Sequence, residues 1–128
     1  MRLNLFKSLW GVVSIDGGTK SLPEAIDALR KNGYTGVECS VRLAKDLDLA
    51  GGSKGEFTSL MKEYGLQWIP ILFSSGPVDG WDPFLPDAPR SAHSGSVQQH
   101  AKALAGQAED ALAFDIPIPF FNCHSGHD

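Results

Sequence analysis

Glu38 is the residue whose setting in the sequence points most directly to chemistry. It follows Val37 in the β-rich run 34–41, where apolar packing is expected around the chain. A carboxylate in such a place must be paired, bind a metal or have a raised pKa, because burying an uncompensated charge is costly. We favour membership of a functional site. The alternative is a structural pair with a basic residue of a neighbouring strand, with Lys7 as the candidate.

Polar side chains also follow the other β-rich runs. Lys7, Ser8 and Trp10 end the first run, Ser74 follows the third, and Asn122 and His124 end the last. Strands that run parallel bring their carboxyl ends to one edge, so these groups are predicted to converge.

Histidines supply further candidates. His124 has the residue type for proton transfer, for hydrogen bonding to a sugar hydroxyl or for metal binding. The competing interpretation is a surface histidine in a C-terminal tail, and Asp128 in the same tail is a weaker candidate. His93 lies in the proline- and glycine-rich segment 74–94, where a solvated or lid position is favoured over metal binding.

Other signatures of catalysis are missing from the sequence. Residues 51–55 lack the GxxxxGK[ST] arrangement of a phosphate loop and are better explained as a flexible turn. GxSxG, HExxH and CxxC are also lacking. Cys39 and Cys123 lie far apart in sequence, and we expect two buried free thiols rather than a disulfide.

The elements that must position these residues alternate between strand and helix. Ser21 and Glu24 have the spacing of a capping box at the start of a helix, and Asn32-Gly33 is a typical stop. These signals bound a helix at 22–31. Apolar periodicity predicts two further helices, at 56–64 and 97–114, and strands at 3–10, 34–41, 66–73 and 119–123. The order βαβαβαβ indicates an α/β fold with a parallel sheet.

Composition limits the class of protein. Hydrophobic residues make up 42% and charged residues 20%, as in an ordinary globular domain, and we expect one domain over 1–128. The net charge of -4 disfavours a nucleic-acid partner, which needs clustered Lys and Arg. Apolar runs of signal-peptide or membrane-span length are lacking, so we expect a cytoplasmic protein without a membrane partner.

Three segments together resemble the xylose-isomerase-like TIM-barrel superfamily. They are 7–11 (KSLWG), 33–38 (GYTGVE) and 122–128 (NCHSGHD), and their order and spacing carry more weight than any one of them. The superfamily includes sugar-phosphate isomerases and epimerases and endonuclease IV-type DNA-repair enzymes. The resemblance implies about half of a (β/α)₈ barrel, with its first four strands and three helices.

The resemblance also implies a reaction and a site. In the complete barrel a divalent metal (Mg, Mn, Zn or Co), held by later strands, would assist proton transfer through an enediolate. No metal ligand is assigned in this chain. The implied catalytic residues, in the sense of substrate binding or support of the metal shell, are Glu38 and His124. The implied substrate-binding residues are Lys7, Trp10, His93 and Asp128.

Several functions remain open on the sequence alone. We expect a carbohydrate substrate and little or no isomerase activity from these 128 residues by themselves. The alternative is a non-catalytic half-barrel that acts by association, including self-association through open sheet edges. An endonuclease IV-like activity is less favoured because the net negative charge of the chain disfavours binding to DNA phosphates.

Overall fold

The chain folds around one parallel β-sheet. A computed structural model describes residues 3–13, 18–50, 55–73 and 97–124. The strands are β1 (Phe6–Ser8), β2 (Gly36–Ser40), β3 (Gln67–Phe73) and β4 (Asn122–His124). They lie in the order β1-β2-β3-β4, every neighbouring pair is parallel, and the sheet curls into a half-barrel. The predicted α/β class with a parallel sheet is confirmed.

Four helices accompany the strands in the described part of the chain. They are α1 (Leu22–Lys31), α2 (Val41–Ala50), α3 (Glu56–Glu63) and α4 (Val97–Leu112). The predicted order βαβαβαβ with three helices is wrong in one respect, since α2 and α3 both lie between β2 and β3. Ser40 explains the omission: it ends β2, and its Oγ accepts the backbone N–H of Leu43 at 3.1 Å, so α2 begins without a turn.

The first helix begins as its sequence predicts. The backbone N–H of Ser21 donates to Oε2 of Glu24 at 2.9 Å, and the N–H of Glu24 donates back to Ser21 Oγ at 3.4 Å. This reciprocal pair satisfies two of the donors that a helix start leaves without partners. Among the residues described, no helix combines the length and apolar character that crossing a membrane requires.

A residue of α2 caps α3 from a distance. Gly55 precedes α3 and offers no side chain, but Asp48 accepts the Thr58 N–H at 2.8 Å and the Thr58 hydroxyl as well. Gly55 has φ 61°, and a Cβ there would approach the Asp48 carboxylate to 3.0 Å. Glycine therefore allows the carboxylate to reach the helix start.

The core lies between one face of the sheet and the helices. Val37 and Trp68 are register partners, and both are fully buried on this face. The Trp68 ring packs edge-on against Phe57 and Phe114, and its Nε1 donates to the Cys39 carbonyl at 3.2 Å. The indole thus buries its apolar area without leaving its N–H unpaired.

Pro70 in the middle of β3 interrupts no ladder bond. Backbone N–H groups of a parallel strand alternate between its two neighbours, so the Pro70 nitrogen faces the same side as that of Trp68. The Trp68 N–H donates to the Pro117 carbonyl at 2.9 Å, in the segment that leads to β4. The β3–β4 ladder starts one residue after the proline, at Ile71 with Asn122.

The two cysteines differ in burial. Both are free thiols, as predicted, and Cys39 is buried in the core. The prediction that both are buried is wrong for Cys123, which lies exposed on β4 at the edge of the sheet. Burial raises the pKa of Cys39 to about 12; the hydrogen bond of Trp68 opposes this rise and the charge of Glu38 adds to it.

Candidate functional site

Register brings polar side chains to one face of the sheet. Ser8 lies opposite Glu38, and Glu38 lies opposite Ile69. Because side chains alternate between faces along a strand, these residues share the face opposite to that of Val37 and Trp68. We call it the inner face. It carries Ser8 and Glu38 near the carboxyl ends of their strands.

A hydrogen bond joins Glu38 to Asn122 across this face. The Asn122 Nδ2 donates to Glu38 Oε2 at 3.0 Å, and both side chains are half-buried. β3 lies between their strands, and two strand spacings in a flat sheet amount to about 10 Å. Both side chains therefore extend over β3, where Ile69 and Ile71 are buried. The curl of the sheet shortens the distance that they must span.

The Glu38 carboxylate therefore uses one oxygen to accept the Asn122 hydrogen bond and keeps further acceptor positions for a ligand. One oxygen accepts from the amide, which fixes the carboxylate above the apolar surface of β3. A carboxylate has about four acceptor positions, so it keeps capacity for the hydroxyls of a ligand. The Asn122 carbonyl oxygen adds another acceptor.

Ser8 lies beside Glu38 at the end of β1, and Trp10 follows two residues later. The backbone N–H of Trp10 donates to Ser8 Oγ at 3.3 Å, and the Trp10 residue is 62% exposed. Since that Oγ acts as acceptor, its own hydrogen is able to donate elsewhere.

Lys7 lies on the other side of the sheet. Its register partner is Val37, which packs against the helices, and Lys7 lines a cavity of about 420 Å³ between β1 and α1. The proposed structural pair of Glu38 with Lys7 is therefore wrong, and the partner of the carboxylate is Asn122. The predicted substrate-binding role of Lys7 stays a prediction.

The remaining predicted site residues are less fully placed. The backbone of His124 pairs with Phe73 at the end of β4, which puts it two residues beyond Asn122 on the same strand. The side chain of His124 lies outside the described residues, and so do His93 and Asp128. Their predicted roles stay predictions.

Asn122 and Ser8 are the inner-face residues beside Glu38 that sequence reasoning did not select as site residues. Both were visible as polar groups at strand ends, but no motif separated them from their neighbours. The signal that would have found Asn122 is the same as for Glu38: a polar side chain on the inner face of an apolar strand. Assigning a side chain to the inner face requires the strand register, which the sequence alone does not give.

The described residues do not fit a divalent metal. Within 3–13, 18–50, 55–73 and 97–124, no group of three or more His, Cys, Asp or Glu side chains lies close enough together to hold one. The amide N–H of Asn122 is directed at Glu38, so its oxygen, the atom that ligates hard cations, is not the one facing the carboxylate.

Comparison with protein-family models, with curated proteins and with solved structures found no match to this chain.

Proposed function

We propose that this chain forms the carbohydrate-binding part of a cytoplasmic sugar or sugar-phosphate isomerase or epimerase of the xylose-isomerase-like type. The observation that carries the proposal is the hydrogen bond from Asn122 to Glu38 on the inner face of a parallel, curled sheet. Polar groups gathered at the carboxyl ends of parallel strands are the usual place of a binding site in barrels of this class.

The pair is suited to hydroxyl-rich ligands. The carboxylate of Glu38 accepts hydroxyl hydrogens, and Ser8 donates one to a ligand oxygen. Trp10 follows Ser8 with an exposed indole, a side chain suited to the apolar side of a sugar ring. Glu38 thereby orients a substrate hydroxyl, and a carboxylate in contact with a hydroxyl is also able to take up and return its proton.

Glu38 binds and orients the substrate, but it does not carry out the complete reaction. A divalent ion supplies polarisation of the substrate oxygen in reactions of this type. Because the described residues do not fit such an ion, no step is assigned through it. We expect the chain alone to bind a ketose with little or no turnover.

Binding of D-fructose tests the proposal. In a ¹⁵N-labelled sample, titration is expected to shift the side-chain amide signals of Asn122 in a saturable way. Glu38→Ala is expected to weaken the affinity at least tenfold, since a charged hydrogen-bond acceptor is lost, by about 1.5–3 kcal/mol. Glu63→Ala, at an exposed position of α3, serves as the matched control. Unchanged Asn122 signals at saturating sugar would refute the proposal.

A second candidate function is association through the sheet edges. β1 and β4 lie at the two edges of the sheet, and Leu5 (47% exposed) and Phe120 (56% exposed) lie next to them. Unpaired strand edges flanked by apolar side chains favour pairing with another chain. Sedimentation velocity over a hundredfold range of concentration separates a monomer from a self-associating half-barrel. Leu5→Lys is expected to weaken any association through β1, whereas Phe120 also packs against Phe6 within the chain and is left unchanged.

An endonuclease-like function has less support. The net charge of the chain is -4, and Lys45 of α2 pairs with Asp110 of α4. Retention on heparin at low salt is the simple check, and elution in the void volume is expected.

A further inference from the structure

We infer that the Glu38 site takes uncharged sugars in preference to their phosphate esters. This inference deepens the proposed function and rests on it.

The inner face carries the Glu38 carboxylate together with the Asn122 amide and the Ser8 hydroxyl, which are able to hydrogen-bond to ligand hydroxyls. Glu38 is fixed there by Asn122 at 3.0 Å, above the buried Ile69 and Ile71. A sugar hydroxyl both donates and accepts, so it fits a carboxylate, an amide oxygen and a serine hydroxyl together. A phosphate ester is an acceptor with up to two negative charges, so it competes with the carboxylate for donors and is repelled by it.

Two lysines near β1 are placed on the opposite side of the sheet. The Lys7 side chain lies on the same face of the sheet as Val37. Lys7 and Lys20 both line the cavity between β1 and α1. The thickness of the sheet therefore separates their ammonium groups from Glu38. Neither is in a position to neutralise a phosphate held beside that carboxylate.

Two basic residues that follow β2 are engaged with acids. Arg42 Nε lies 3.8 Å from an Asp46 oxygen within α2. Lys45 of the same helix pairs with Asp110 of α4. In both pairs the positive charge has an acidic partner on a helix. Within the described ranges, the ionised group that we place on the inner face is therefore the Glu38 carboxylate.

The experiment compares D-fructose with D-fructose 6-phosphate at equal ionic strength, following the Asn122 side-chain amide signals. We expect fructose to bind at least tenfold more tightly than the ester. Glu38→Gln keeps the shape of the side chain and removes its charge, so the preference is expected to fall below threefold. Glu63→Gln, which changes the same charge on exposed α3, is expected to retain the tenfold preference.

A measurement on the unmodified chain makes the test independent of how Glu38→Gln folds. Raising the salt from 20 to 500 mM shortens the screening length, so the affinity for the ester is expected to rise relative to that for fructose. Equal or tighter binding of the ester at low salt, with the same Asn122 signals shifted, would overturn the inference and leave the proposed function standing. Failure of both ligands to shift those signals would refute the proposed function itself.

Discussion

The side-chain amide of Asn122 donates a hydrogen bond to Oε2 of Glu38 at 3.0 Å, joining residues 84 positions apart in the chain. The bond crosses β3 on the inner face and ties the edge strand β4 to β2. It therefore serves the fold, by anchoring a short edge strand, and it fixes the carboxylate that we propose binds a sugar.

Removing the amide is expected to weaken the fold as well as the site. Asn122→Ala should lower the free energy of unfolding by about 1–3 kcal/mol, because a half-buried carboxylate loses its donor. Urea unfolding measures the loss. Asn4→Ala removes the same amide from an exposed position, and its effect should stay within about 0.5 kcal/mol. Equal effects of the two variants would show that the bond contributes nothing to stability.

Asp48 is expected to matter to stability more than its neighbour Asp46. Asp48 caps α3 through the backbone and hydroxyl of Thr58, so Asp48→Ala should cost about 1–2 kcal/mol. Asp46 makes an exposed pair with Arg42 at 3.8 Å, and Asp46→Ala should cost at most about 0.5 kcal/mol. Thermal or urea unfolding of the two variants distinguishes them, and the reverse order would contradict the assigned cap.

The capping box of α1 should make stability depend on pH. The backbone N–H and then the hydroxyl of Ser21 hold the pKa of Glu24 below its ordinary value of 4.5. For a lowered pKa the contribution is complete above the unfolded value and is lost as the pH falls through the folded one. Glu24→Gln should therefore flatten the stability profile below about pH 4.5. An unchanged acid limb would argue against the box.

The cysteines should react very differently. Cys123 is exposed and Cys39 is buried with a pKa raised to about 12. Iodoacetamide at pH 8 should add one label to the folded chain, at Cys123, and two after denaturation, as read by mass spectrometry. Since a raised pKa favours the folded state only while the thiol is neutral, this contribution should be lost as the pH rises from about 9.0 towards 12. Rapid double labelling of the folded chain would contradict the packing.

The sequence was informative where local patterns decide structure. The capping box at Ser21 located α1, and apolar runs indicated four parallel strands. The two edge strands are shorter than predicted, since β1 spans only Phe6–Ser8 and β4 only Asn122–His124. The helix α2 was missed because Ser40 is both the end of β2 and the cap of the next helix, so no turn separates them. Local signals do not mark a boundary that has no turn residue.

The site was less accessible to such patterns. Lys7 and Ser8 are adjacent in sequence, yet a shift of one residue along a strand reverses the face, and only the register assigns Ser8 to the side of Glu38. Asn122 meets Glu38 across an intervening strand, a contact that depends on sheet order and curl. Glu38 is recognised from the sequence because an acidic residue within an apolar strand stands out without knowledge of the register.

A double-mutant cycle on sugar binding tests the central claim most directly, namely that Glu38 and Asn122 act as one carbohydrate-binding unit. The affinities of the wild type, Glu38→Ala, Asn122→Ala and the double variant for D-fructose would be measured by isothermal titration calorimetry. Each single change should weaken binding at least tenfold, and the double variant should bind no more weakly than the worse single one, because the residues are coupled. Single variants that bind fructose as tightly as the wild type would contradict the account.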